Sequence, residues 1–362
     1  MDRRLFLSFV IAGAICACAA LAYAEMATMM PASGSAYTYS YAVLGEIIAW
    51  VVGWSLILEY SLVVSTVAVG WSGYAAPLLQ AWAGVPMELM AGPHADGIVN
   101  LPAIFIIAVV AGLLCLGSKE SATLNAALVV VKIIALAVFV AVALPYFNGA
   151  NLEPFAPFGF AKTMSPDGVE RGVMAAAAII FFAFYGFDAI STAAEETKNP
   201  GRDLAIGIVG SMIACIAIYM LVAVAAVGAT PFTHFANSPE PLALILRDLG
   251  RPGFATFLAV SAVIAGLLPI DEIAALANAG TLAAFTAVAV CMMVLRRRAP
   301  DAPRMFRTPL WWLVGGGAVL GCAYLFFSLP VKTQLWFLAW NALGVVIYFA
   351  YARPRVSKQG VQ

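Results

Sequence analysis

The sequence predicts an all-α integral membrane protein, and three observations carry the prediction. Of its 362 residues, 63% are hydrophobic and only 10% charged, where a soluble domain carries roughly 25% charged residues. Its mean hydropathy is +0.96. Apolar windows recur along the chain, most of them near the roughly 20 residues that an α-helix needs to cross a bilayer.

The first window, Leu5 to Ala24, follows Arg3 and Arg4 and ends in Ala22-Tyr23-Ala24. A secretory signal has the same ingredients, but the stretch after it, Glu25 to Tyr41 (EMATMMPASGSAYTYSY), reads as the exit loop of a membrane helix. Val43 to Val69, Ile98 to Leu116, Leu124 to Pro145, Val173 to Thr192, Leu204 to Ala229, Ala274 to Leu295, Trp311 to Leu329 and Leu335 to Tyr351 read as spanning segments. Phe254 to Leu268 is short, cut by Pro269, Asp271 and Glu272, and fits a re-entrant or broken helix. The expected count is therefore about 9–10 apolar helices. Arg296, Arg297, Arg298, Arg304 and Arg307 mark a cytoplasmic loop, and Arg353, Arg355 and Lys358 place the C-terminus on the same side, two helices later. Charge counting favours a crossing at Phe254 to Leu268.

Lys plus Arg and Asp plus Glu both number 19, so nothing points to a nucleic-acid partner. Cys16, Cys18, Cys115, Cys215, Cys291 and Cys322 sit inside apolar runs and read as small buried hydrophobes. His94 and His234 have no acidic or cysteine neighbours at ligand spacing, so no metal site and no cofactor is expected. No H-E-x-x-H, G-x-S-x-G, phosphate loop or dinucleotide fingerprint occurs, and the chain is not read as an enzyme.

The most informative stretch is Ile179 to Pro200, IIFFAFYGFDAISTAAEETKNP. At hydrocarbon depth a helix opens, or carries a carboxylate, only where protein or a polar cavity receives the exposed groups. Gly186 and Asp188 therefore mark a segment that lines a site, although aromatic packing around a close helix contact at Gly186 is the plain alternative. Lys132, in LNAALVVVKIIALAV, lies too deep for comfortable snorkelling and should face protein. Glu59 is a lone carboxylate in an apolar window and needs a proton or a partner. Glu195, Glu196 and Lys198 belong to a short charged connector where Pro200 and Gly201 end one element and Asp203 caps the next. It reads equally as a solvated loop or as an electrostatic latch.

Several separated stretches are similar to the amino acid–polyamine–organocation superfamily, closest to its cationic amino acid transporter branch. They are SFVIAG with YAEMATMMPASGSAYTYSYAVLGE (Ser8 to Glu46), GWSLILEY (Gly53 to Tyr60), VGWSGY (Val69 to Tyr74), GSKESATLNAALVVVKI (Gly117 to Ile133), FFAFYGFDAISTAAEETKNPGRDLAIGIVGS (Phe181 to Ser211) and RRRAPDAPRMFRTP (Arg296 to Pro309). The resemblance implies an inverted-repeat transporter fold with substrate held at the midplane between broken helices. Here that fold looks incomplete, lacking the first family helix and much of the eighth and ninth. Residues 1–150 then correspond to a remnant of the first repeat, 171–295 to a shortened second repeat and 310–352 to two C-terminal helices. The same alignment favours nine spans, with Phe254 to Leu268 not crossing.

By resemblance, Phe182, Ala183, Tyr185 and Gly186 form the unwound substrate contact whose free carbonyls accept an α-ammonium. Lys132 resembles a built-in cation whose proton traffic couples transport to the proton gradient, and Glu59 matches a glutamate important for transport. Glu25, with Pro31, Ser33 and Gly34, resembles a re-entrant gate loop. Ser55 stands where relatives often have Asp. The implied function is amino-acid transport across the inner (plasma) membrane by proton-coupled alternating access, with the lipid bilayer, an amino acid and the proton as partners. A shortened paralogue with only a structural or assembly role is the competing expectation.

Overall fold

Where the sequence predicts an exit loop after Ala24, the helix runs on: α1 spans Leu5–Met29. Its alanine-rich stretch favours continuation, and the stop comes just before Pro31, which disfavours helical backbone at the residue before it. Most of the expected loop is the last turn of α1, a short connection and a second helix, α2 (Ser35–Leu44). Glu25 is thus helical and not part of a loop, a correction with an electrostatic reason given below. Gly45, with φ +95°, turns the chain from α2 into α3 (Glu46–Ala83), a conformation that costs glycine little.

The computed structural model describes residues 5–92, 97–114, 118–152, 159–164, 170–184, 186–235, 238, 240–265 and 271–352. Tyr185, His94, Cys115, Gly117, Arg353, Arg355, Lys358 and the Gly266 to Ile270 stretch lie outside them. After α3 come α4 (Leu101–Leu114) and α5 (Ser118–Ala143), then two antiparallel two-residue strands, β1 (Thr163–Met164) and β2 (Glu170–Arg171). There follow α6 (Val173–Ile180), α7 (Asp188–Thr192), α8 (Pro200–Ala229), the single turn α9 (Phe232–Phe235), α10 (Pro241–Asp248), α11 (Pro252–Ala265), α12 (Asp271–Arg298), α13 (Trp311–Ser328) and α14 (Val331–Ile347). Pro200 and Gly201 begin α8 where they were expected to close the preceding element. Proline lacks the N–H that a first helical turn leaves unpaired, and its fixed φ suits that position.

Among the described residues eight helices are long and apolar enough to cross a membrane, and two apolar helices are shorter, within Leu101–Gly112 and Pro252–Val263. The 14 residues of α11 reach only about 21 Å at 1.5 Å per residue. That falls short of a hydrocarbon core of about 30 Å. Within the predicted windows Phe254 to Leu268 and Ile98 to Leu116, the described helical residues end at Ala265 and Leu114.

The helices gather into two units. One comprises Met1–Phe6, Ser61–Pro157 and Ile218–Ala274; the other comprises Leu7–Tyr60, Phe158–Ala217 and Ala275–Gln362. In the first, α11 packs along α5 and α10, the Trp71 indole donates to Val263 O at 2.5 Å, and Asn100 donates to Ser72 Oγ at 2.7 Å. Glu240 pairs with Arg247 on α10. In the second, Tyr23, Phe181, Phe187 and Phe285 form the aromatic centre, with Tyr23 and Phe285 edge to face at 5.3 Å. Large apolar side chains on α13 and α14, such as Leu320 and Trp336, stay exposed, the surface a lipid-facing helix presents.

Candidate functional site

The second unit contains the predicted break. Helix α6 stops at Ile180, a tight turn covers Phe181–Ala183, and α7 starts only at Asp188. Aromatic anchors hold both flanks. Phe181 packs on Phe285 at 5.7 Å, Phe187 on Phe285 at 4.8 Å and on Tyr23 at 5.7 Å, and Phe184 meets Phe9 edge-on at 5.8 Å. Between the flanks, Phe182 and Ala183 are half-buried and Gly186 is exposed with φ +109°. That backbone angle strains any side-chain-bearing residue. The sequence therefore breaks here because glycine permits the turn while the phenylalanines on each side pin the two halves.

Asp188 stabilises the break. Its Oδ1 accepts the Gly186 N–H at 3.0 Å and its Oδ2 accepts the Tyr60 hydroxyl at 3.0 Å, so a buried carboxylate closes the start of α7. One turn on, Ser191 Oγ donates to Asp188 O at 2.5 Å and lies 2.5 Å from Ser35 Oγ. Ser35 carries a positive φ of 45° at the start of α2. On the other flank, the Asn278 side chain of α12 donates to Ala178 O at 2.8 Å and Ile179 O at 3.4 Å, two carbonyls at the end of α6. Asn278 went unnoticed in the sequence, although an asparagine within the apolar run of α12 is itself a signal.

Glu59, on α3, is fully buried. A Cβ added at Gly280 would stand 3.0 Å from Glu59 Cβ and 2.9 Å from Ser55 O, so the bare glycine is what lets α12 lie against α3. Neither Glu59 carboxyl oxygen meets a partner at hydrogen-bonding geometry; Thr281 close by directs its hydroxyl to Ala277 O at 3.3 Å. Ser55 Oγ lies 2.9 Å from Val51 O and 3.0 Å from Asn341 Oδ1. Lys132 belongs to the other unit, half-buried on α5.

Glu25 is buried in α1 at the centre of a charge cluster. Arg296 Nε stands 2.6 Å from Oε1, Arg304 Nε 3.1 Å from Oε1, and the Thr308 N–H donates to Oε2 at 2.9 Å. Two guanidinium groups and an amide replace the water that a loop carboxylate would use, which is why the helix runs through Glu25. Arg304, itself completely buried, also donates to Ala299 O and Leu295 O and so covers the carbonyl end of α12. Glu195 is exposed and accepts the Ser33 N–H at 3.0 Å. That bond holds its carboxyl below the usual carboxylate range. Glu196 and Lys198 are exposed. Of the predicted residues, then, the second unit places Glu195 on the Ser33 turn, Glu25 against the arginines, and Phe182, Ala183 and Gly186 in the break. No group of metal-binding side chains forms among the described residues.

Known proteins are similar to this chain in sequence. The chain is 39% identical to a branched-chain amino acid permease of Bacillus subtilis over 408 aligned positions, covering 96% of this chain and 86% of the relative. A methylthioribose transporter of the same organism is 33% identical, with 96% and 86% covered. A vacuolar cationic amino acid transporter of Arabidopsis thaliana is 33% identical over 82% of this chain and 58% of its own length. The family model described as amino acid permease matches residues 4–270. The chain belongs to the amino acid permease family.

Proposed function

We propose that this protein carries a small neutral or cationic amino acid across the plasma (inner) membrane by proton-coupled alternating access, with the break at Phe182, Ala183, Tyr185 and Gly186 as the substrate contact. The observation that supports it best is the interrupted helix. Ending α6 at Ile180 leaves a helix C-terminus whose partial negative charge suits an ammonium group. The names of the relatives, a branched-chain permease and a cationic transporter, support the amino-acid class.

Lys132 and Glu59 are the proposed proton-coupling residues. Each is an ionisable group on an apolar helix, where a proton gained or lost changes the cost of burial by several kcal/mol, on the order of the free energies that drive conformational switching. Glu25, Glu195, Glu196 and Lys198 are proposed to hold the gate side, with the C-terminus cytoplasmic because the arginine-rich loop before α13 lies two helices away. The test is uptake of radiolabelled L-leucine and L-arginine into proteoliposomes with and without an imposed pH gradient. Uptake that the gradient stimulates, and that Lys132→Ala removes while the protein stays folded, supports the reading. No uptake of either amino acid, together with no substrate-dependent stabilisation, overturns it.

A further inference from the structure

Asn278 carries a role beyond packing. Its Nδ2 is committed to the carbonyls of Ala178 and Ile179, and only the NH2 end of an amide can donate to a carbonyl, so the side chain is fixed in one orientation. Its Oδ1 therefore points the other way, and there it has no partner while the residue is completely buried. An unmatched buried acceptor is costly, because it has given up water without a replacement. Buried polar groups left in that state are rare enough to require a reason. The neighbouring chain gives one, because the carbonyls that Asn278 holds lie in the last turn of α6, just before the break.

Resting on the transport reading, we propose that Asn278 Oδ1 is a further acceptor for the amine of the substrate, reached when the break moves to admit it. The same side chain then serves two ends: its NH2 keeps the α6 carbonyls satisfied, and its oxygen receives an N–H that only a ligand brings. Gly186 leaves room beside the break, since nothing stands within 4 Å of where a Cβ would be. A cation with several N–H donors fits an acceptor of this kind, whereas a carboxylate would be repelled by it.

Two substitutions separate the oxygen from the clamp. Asn278→Asp keeps an acceptor and loses the donor to Ala178 and Ile179; Asn278→Leu loses both. The readout is the half-saturating L-leucine or L-arginine concentration for thermal stabilisation of the purified full chain in detergent. The Leu variant is expected to raise it about tenfold, the loss of one charge-assisted hydrogen bond, while the Asp variant stays near wild type. Equal weakening in both variants makes Asn278 a clamp only and overturns the proposal, as does wild-type behaviour in both. If neither amino acid stabilises the wild type, the transport reading fails and takes this one with it. Should the variants not fold, the wild type is compared with L-leucine and N,N-dimethyl-L-leucine, which has fewer N–H donors. Weaker binding of the dimethyl compound supports the proposal, and equal binding overturns it.

Discussion

Glu25 illustrates how a single side chain decides where a helix ends. Without Arg296, Arg304 and the Thr308 amide, a carboxylate this deep would have to leave the helix for water. With them, α1 continues through it. Glu25→Ala should therefore strand Arg304, whose side chain is 0% exposed, and lower stability by about 3–5 kcal/mol, the usual result of removing one partner of a buried pair. Thermal unfolding in detergent measures it, and an unchanged midpoint would mean the arginines find other partners. Glu195 behaves differently because it is exposed. Its folded carboxyl titrates below the ordinary range on account of the Ser33 N–H. A depressed carboxylate stabilises the fold above its unfolded value, about 4.3, and the contribution fades as pH falls through the lower folded value. Protection of the Ser33 amide in hydrogen exchange should thus decline on acidification within that window, and Glu195→Gln should remove the decline.

At the scale of elements, two features fix the second unit. The break between α6 and α7 depends on Gly186 at φ +109°, and Gly186→Ala should cost on the order of 1–3 kcal/mol through backbone strain alone, since no atom stands in the way of the methyl group. A larger loss, read from unfolding in detergent, would point to a contact that the folded chain does not display. Helices α3 and α14 are stapled by indoles: Trp54 Nε1 donates to Trp340 O and Trp340 Nε1 to Trp54 O, both at 2.9 Å, with the rings stacked at 4.9 Å. Gly344 lies directly under Trp54, where a Cβ would overlap the indole. Gly344→Ala should overpack this seam and destabilise by about 1–3 kcal/mol, visible as a lowered unfolding midpoint and as altered tryptophan fluorescence.

For the whole molecule, membrane embedding and helix content were legible because hydrocarbon admits few alternatives: 18-residue apolar stretches must be helices. The proposed cytoplasmic C-terminus rests on a local charge bias: a C-terminal tag is expected to resist a membrane-impermeant reagent in intact cells and react after permeabilisation, and labelling of intact cells would overturn the proposal. The break was legible too, since Phe181 to Asp188 combines glycine and a carboxylate in an apolar run. The long α1 and α2 were not, because the polar letters of Glu25 to Tyr41 signal a loop unless their distant partners are known.

By itself the sequence determined the class of the molecule, its family and the place where a helix opens, because these depend on composition, local period and motif. Only the tertiary structure decided that Glu25 is helical, that Asp188 closes its own break and that Asn278 guards the end of α6. Each of those outcomes depends on a partner 99 or more residues away or on a backbone angle, and neither is written in a residue's neighbours. Burial sets their worth: a polar group removed from water is held by whichever partner the fold delivers, and the chain alone does not name that partner.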